Sequence, residues 1–233
     1  FGGFGSGDDI NYVLKSLDNN YTLIESIKNE MLGNQASRVI GFIIREITIF
    51  FLKDNATLYI LSNIAIWLIA IIFIGFVLLE FFNKNIVYVF ILLASFPFFA
   101  TSIFAGPYLF TEHHFSILFW SISLFFIIKF SKNKKIIFLL NGLLFLMLSL
   151  MILEYIIPLL FLTVCLPILY EISKINYFNK KLMIMFFLFY VLPIVFICLL
   201  FLFFKIYFVT LYANVTNVYG VTPISLKSFL QAF

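Results

Sequence analysis

Long apolar runs, broken only by short lysine clusters, leave this chain very few folds to choose from. A helix needs about 20 consecutive apolar residues to cross a bilayer. Candidate spans are 57–82, 86–105, 115–130 and 182–209, and 136–170 is apolar throughout except for Glu154 near its middle. The chain is 64% hydrophobic and 11% charged, with 34 Phe residues and a mean hydropathy of +1.12. Soluble domains run at roughly 45–50% apolar and about 25% charged, so a single water-excluded core could not hide this much apolar surface. In lipid every backbone polar group must be satisfied within the fold, which favours helices. The predicted fold class is therefore all-α, a polytopic transmembrane bundle of about six spans with the lipid bilayer as its solvent.

The net charge of +4 could suggest nucleic acid, but its distribution argues for no nucleic-acid partner. The lysines cluster between apolar runs: Lys84 between two asparagines, Lys132, Lys134 and Lys135 together, and Lys174, Lys180 and Lys181 within 171–181. This is a topology signal, and the positive-inside rule makes that side cytoplasmic. Lys129, at the end of its span, can snorkel to the same surface. The region 136–170 must then cross twice. About 38 residues separate Lys135 from Lys174 and reach roughly 57 Å as helix, against the ~60 Å that two crossings need. A tight hairpin is expected, turning at Glu154-Tyr155 with Pro158 just beyond.

That scheme divides the chain into an extracytoplasmic loop, 1–56, a transmembrane bundle, 57–209, and an extracytoplasmic segment, 210–233, leading to a further part. The loop 105–114 also falls outside, as do the three N-x-[ST] sequons at Asn20, Asn55 and Asn214. A multi-pass plasma-membrane protein is expected. The start at Phe1, with no initiator Met and no signal-peptide pattern, suggests an upstream span. Cys165 and Cys198 lie inside apolar runs and say nothing about redox compartment.

The first loop carries its own periodicity. Ile10, Val13, Leu14 and Leu17 fall at helical spacing, as do Ile24, Ile27 and Met31, and Thr22 with Glu25 reads as a capping box. From Val39 to Leu52 the only charges are Arg45 and Glu46, with Lys53 following. Short amphipathic helices lying along the outer interface are predicted here.

Four groups of residues could carry chemistry. Asp8 and Asp9 stand where an upstream span would emerge. One acid ahead of Ile10 is accounted for as a helix N-cap, whereas a second, adjacent acid is not needed for capping. The functional alternative is a general base at the membrane surface, its carboxylate partly desolvated. Glu112, His113 and His114 form a polar knot at the outer end of a span, either ordinary interfacial residues or substrate contacts. Adjacent residues rarely aim at one ion, so they read poorly as metal ligands. Glu154 joins that side if 136–170 is a hairpin. Arg38 and Arg45, the only arginines, lie seven apart on roughly one helical face. They could touch lipid headgroups, or clamp a phosphate with their bidentate forks.

The order of these elements resembles a known family. Gly7-Asp8-Asp9-Ile10-Asn11-Tyr12 past a probable span, about thirty mostly helical residues, then Asn34-Gln35-Ala36-Ser37-Arg38 and an apolar helix, is similar to the first outer loop of GT-C membrane glycosyltransferases. The likeness is to the bacterial branch of O-antigen glucosyltransferases. Asp8 and Asp9 match that family's acidic pair, and Arg38 its arginine, with Ser37 standing where a Gly is usual. Leu109-Phe110-Thr111-Glu112 is similar to the acidic second-loop stretch of mannosyl- and arabinosyl-type relatives. The resemblance spans residues 1–130. It implies transfer of a sugar from a polyprenyl-phosphate donor to a glycan or lipid acceptor on the outer face, with an Asp as general base and Arg holding the phosphate. Some members use a divalent metal and others do not. The competing class is a transporter or lipid flippase without catalysis, which would favour ionisable residues at mid-membrane depth or helices broken at their middles. A non-catalytic scaffold ranks third.

Overall fold

A computed structural model describes residues 22–31, 39–53, 55–95, 111–152, 156–173 and 180–212. Among them every regular element is helical, in the order α1 (Leu23–Met31), α2 (Val39–Leu52), α3 (Ala56–Leu78), α4 (Lys84–Ser95), α5 (Thr111–Asn133), α6 (Ile136–Ile152), α7 (Ile157–Ile172), α8 (Lys180–Phe186), a π-helical segment (Phe187–Val191) and α9 (Leu192–Tyr212).

Local sequence explains the helix starts. Asn55 caps α3 by accepting the Leu58 N–H at 3.1 Å, and Asn83 does the same for the Ile86 N–H at 3.0 Å. The Asn55 sequon thus doubles as a cap. At α1 the Thr22 hydroxyl donates to the Glu25 carboxylate at 2.8 Å. The predicted pair is present, but it closes side chain to side chain: the ionised carboxylate takes the hydroxyl as a charge-assisted donor. Pro158 sits in the first turn of α7, where its missing N–H costs nothing. Lys134, at φ 55°, turns the chain from α5 into α6 through the left-handed region, its N–H bonded to the Phe130 carbonyl at 2.8 Å.

Three helical stretches among the described residues are long and apolar enough to cross a membrane: Thr57–Leu78, His113–Asn133 and Met183–Phe204. Three of the six expected spans are therefore present at full length. Shorter apolar helices occupy Lys84–Ser95, Ile136–Ile152 and Ile157–Ile172. The expected span 86–105 coincides with α4 as far as Ser95, and its remainder lies outside the described residues. The region 136–170 is two helices, as the hairpin requires. The 17 residues of α6 and 16 of α7 each reach only about 25 Å at 1.5 Å per residue.

The middle of the bundle belongs to α5. In the most apolar stretch of its span 61% of the residues are buried, against 28% in each of the other two full-length spans. It packs against α2, α3, α6 and α7. Small residues let it do so. Ser116, Ser123 and Ser149 are fully buried between α5 and α6, and Ser123 donates to the Gly142 carbonyl at 2.7 Å. Small and hydroxyl-bearing residues are the usual means of close helix approach in lipid, where helices gain nothing from hiding apolar surface. A core of Val77, Trp120, Leu124, Leu146, Leu150 and Phe201 fills the centre. The outer faces of α3, α4 and α9 carry exposed Leu, Ile and Phe.

Candidate functional site: a polar layer at one end of the bundle

Helix register fixes which residues share an end. Lys132 bridges to Glu80 at 3.1 Å, a separation of 52 in sequence. Ile66 and Leu118, at the same offset, share a core cluster. So α3 and α5 run parallel, and Asn63 lies level with His114 and Phe115. Ser116 and Ser149 bond each other, with the Ser149 hydroxyl donating to the Ser116 carbonyl at 2.8 Å, so α6 runs antiparallel to α5. The Trp120 indole N–H donates to the Thr163 hydroxyl at 3.0 Å, and Lys134 pairs with Glu171, so α7 runs with α5. Glu80, Lys132, Lys134 and Glu171 consequently share one end. His113, His114 and Ser149 share the other.

Onto that second end α2 is docked. A methyl group on Gly41 would stand 3.1 Å from the Ile152 carbonyl oxygen, so backbone meets backbone where α6 finishes. One turn further along α2 come Arg45 and Glu46. The prediction of an interfacial amphipathic helix puts their charges toward water, and the structure has the reverse. Glu46 is fully buried, Arg45 is 5% exposed, and Phe51 is 72% exposed. The reason is the solvent. A helix in contact with lipid turns its apolar side outward and its polar side into the protein. The Arg45 guanidinium lies 4.6 Å from the Phe42 ring centroid. Glu46 accepts a hydrogen bond from the buried Ser26 hydroxyl, which ties α1 to α2.

The result is a layer of buried polar side chains from four helices and α1: Ser26, Arg45, Glu46, Asn63, His114, Ser116 and Ser149. Of the residues singled out from sequence, Arg45 and His114 belong to it, and His113 is half-buried beside it. Glu112 occupies the first turn of α5 at the same end, its side chain outside the described set. Asp8, Asp9, Arg38 and Glu154 lie outside the described residues. No three His, Cys, Asp or Glu side chains gather as a metal site among the described residues.

Sequence reasoning did not pick out Glu46, Asn63 or Ser26. The available signal was Glu46 itself, a carboxylate inside a 14-residue helix otherwise nearly free of charge. The structure also gathers polar groups one turn before Pro193. The π segment ends two residues before Pro193 and carries the buried Tyr190, whose hydroxyl lies 2.7 Å from that of Ser131 and donates to Glu171 at 3.1 Å. A π turn absorbs the backbone N–H that Pro193 lacks without breaking the helix.

Composition, spans and buried polar layer together define a helical membrane protein. No family model, curated protein or solved structure matches the chain.

Proposed function

We propose that this chain is the membrane core of a GT-C-like glycosyltransferase. It would transfer a sugar from a polyprenyl-phosphate donor to a glycan or lipid acceptor on the extracytoplasmic face of the plasma membrane. The observation that carries this reading is the docking of α2 against the ends of α5 and α6. The loop that bears Asp8, Asp9 and Arg38 in sequence leads directly into α2, and α2 packs against α5 and α6 with Gly41 at the end of α6 that shares its level with His113 and His114. In this reading Asp8 or Asp9 takes the proton from the acceptor hydroxyl as it attacks the anomeric carbon. The phosphate leaves with its charge held by Arg38. Arg45, buried over Phe42, contributes a fixed positive field behind the site, and Glu112, His113, His114 and Glu154 line the sugar. The donor's isoprenoid tail lies against the apolar outer faces of the spans.

The full chain, purified in detergent and supplied with a polyprenyl-phosphate-linked sugar and membrane glycolipid acceptors, tests the proposal. Sugar transfer with release of polyprenyl phosphate is the expected outcome, and its absence across donors and acceptors contradicts it. Transport or lipid flipping is the second reading. It is favoured by the π segment at Phe187–Val191, an irregularity inside a full-length span.

A further inference from the structure

The span Met183–Phe204 is one helix in length but two in packing. On its lysine-bearing side, Phe130 meets Phe189 and Tyr190 at ring-centroid distances of 5.8 and 6.0 Å, and Phe186 joins the same cluster with Ile127 and Leu139. On the other side, Ile194, Ile197 and Phe201 enter the central core with Trp120, Leu124 and Leu146. The change of partners falls between Tyr190 and Ile194, at the end of the π segment and across Pro193. The backbone ladder is interrupted at the same place. The Leu192 N–H reaches back five residues to the Phe187 carbonyl, and Pro193 has no N–H to give. Prolines and π turns are where long helices bend.

The lysine-bearing arm of this span, Met183–Phe189, is held on one side only. Met183, Ile184, Met185, Phe187 and Leu188 are exposed. A cavity of about 500 Å³ separates the arm from α7, with Ile168 on one wall and Met183, Ile184, Leu188 and Val191 on the other. Packed interfaces hold few voids larger than a water molecule, so the arm and α7 are not closed on each other here. Besides the contact with Phe130, the arm is fixed by polar bonds at its inner end. The Tyr190 hydroxyl lies 2.7 Å from that of Ser131 on α5 and donates to the Glu171 carboxylate on α7 at 3.1 Å. Glu171 is itself held by Lys134. Tyr190 stands where the packing changes, so these bonds tie the bend point to two neighbouring helices.

We propose that the π turn is a hinge and the Tyr190 hydroxyl its latch. With the latch closed, the arm stands off α7. When its hydrogen bonds to Ser131 and Glu171 let go, the arm swings across the cavity and Met183 and Leu188 close on Ile168, while α9 keeps its place in the core. The bundle's side opening toward the bilayer is open in one state and shut in the other. A hinge of this kind concentrates its backbone change at a few positions within an element. It lies at the opposite end of the bundle from the polar layer and does not depend on the transferase reading.

Disulfide trapping in the full chain lacking Cys165 and Cys198 tests it. The pair I168C/L188C faces across the cavity, and a disulfide needs Cβ atoms within about 3.5–4.5 Å, so its formation under mild oxidation reports closure. Y190F removes the latch without changing the ring. It should speed the cross-link by about three- to tenfold, the size of one or two interhelical hydrogen bonds in lipid. S131A removes a single bond and disturbs the fold less. It should act in the same direction by a smaller factor, and it decides the matter if Y190F does not fold. In the same variants, without the cysteine pair, amide hydrogen exchange should quicken over 183–192 and stay unchanged over 194–204. No disulfide in any background, or one rate in all of them, would overturn the proposal. Exchange quickened equally along the whole span would mean general loosening in place of a hinge, and would overturn it too.

Discussion

Trp120 donates its indole N–H to the Thr163 hydroxyl across 3.0 Å, and Thr163 hands the bond on to the Leu159 carbonyl one turn back on its own helix, also at 3.0 Å. Both side chains are buried, so this is the polar rivet between α5 and α7. Hydrogen bonds between transmembrane helices measure about 0.6 kcal/mol on average and rarely exceed ~1.7. A double-mutant cycle of Trp120→Phe and Thr163→Val, followed by thermal unfolding in detergent, should return a coupling of that size. Strictly additive variants would show that the contact contributes shape and not a bond.

Two glycines that both sit in helix contacts should respond differently to alanine. A methyl at Gly142 would lie 3.2 Å from the Ser123 carbonyl oxygen and 2.7 Å from Ile127 Cγ1, against a helix that is pinned on several sides. Overpacking of this kind costs about 1–3 kcal/mol. At Gly75 the nearest atom, at 2.7 Å, is the Cδ1 tip of Ile91, which can rotate away. Gly142→Ala should lower the unfolding temperature clearly, and Gly75→Ala by much less. The reverse order would mean that α5 and α6 are not packed as closely as their backbones indicate.

Much of this fold is legible in the sequence because lipid imposes one rule on every span. Thr57–Leu78, His113–Asn133 and Met183–Phe204 follow directly from apolar length, and the division of 136–172 follows from the lysines on either side. What was not legible is where a polar residue points. Arg45 and Glu46 read as an interfacial face because charge normally seeks water. Their burial depends on α2 meeting α5 and α6, a long-range contact made possible by Gly41 against Ile152. Tyr190 was hidden for a similar reason. It is one aromatic among many until the π turn before Pro193 rotates it toward Ser131 and Glu171. Of the candidate site, the end of the bundle was legible and the inward partners Ser26, Glu46 and Asn63 were not.

Sidedness follows from the same register. The end bearing Lys132, Lys134 and Glu171 should face the cytoplasm, and the end bearing Lys53, His113 and Ser149 should face outward. Single-cysteine variants at the exposed positions Asn133 and Lys53, on a background lacking Cys165 and Cys198, can be probed with an impermeant thiol reagent. Position 53 should label in intact cells and position 133 only after permeabilisation. Labelling of position 133 from outside would invert the bundle and remove the extracytoplasmic site with it.

The most direct test of the central claim is the turnover of Asp8→Asn and Asp9→Asn in sugar transfer from a polyprenyl-phosphate donor, with thermal stability measured on the same samples. Asn caps a helix about as well as Asp, so a capping role leaves both stability and activity nearly unchanged. A general base loses its proton acceptor in the same substitution, which should lower turnover by roughly 10²–10⁴. Arg38→Lys should be milder than Arg38→Ala, because the charge survives while the bidentate fork does not. The account predicts the large loss at one of the two aspartates with the unfolding temperature unmoved. Full transfer activity in both variants would contradict it.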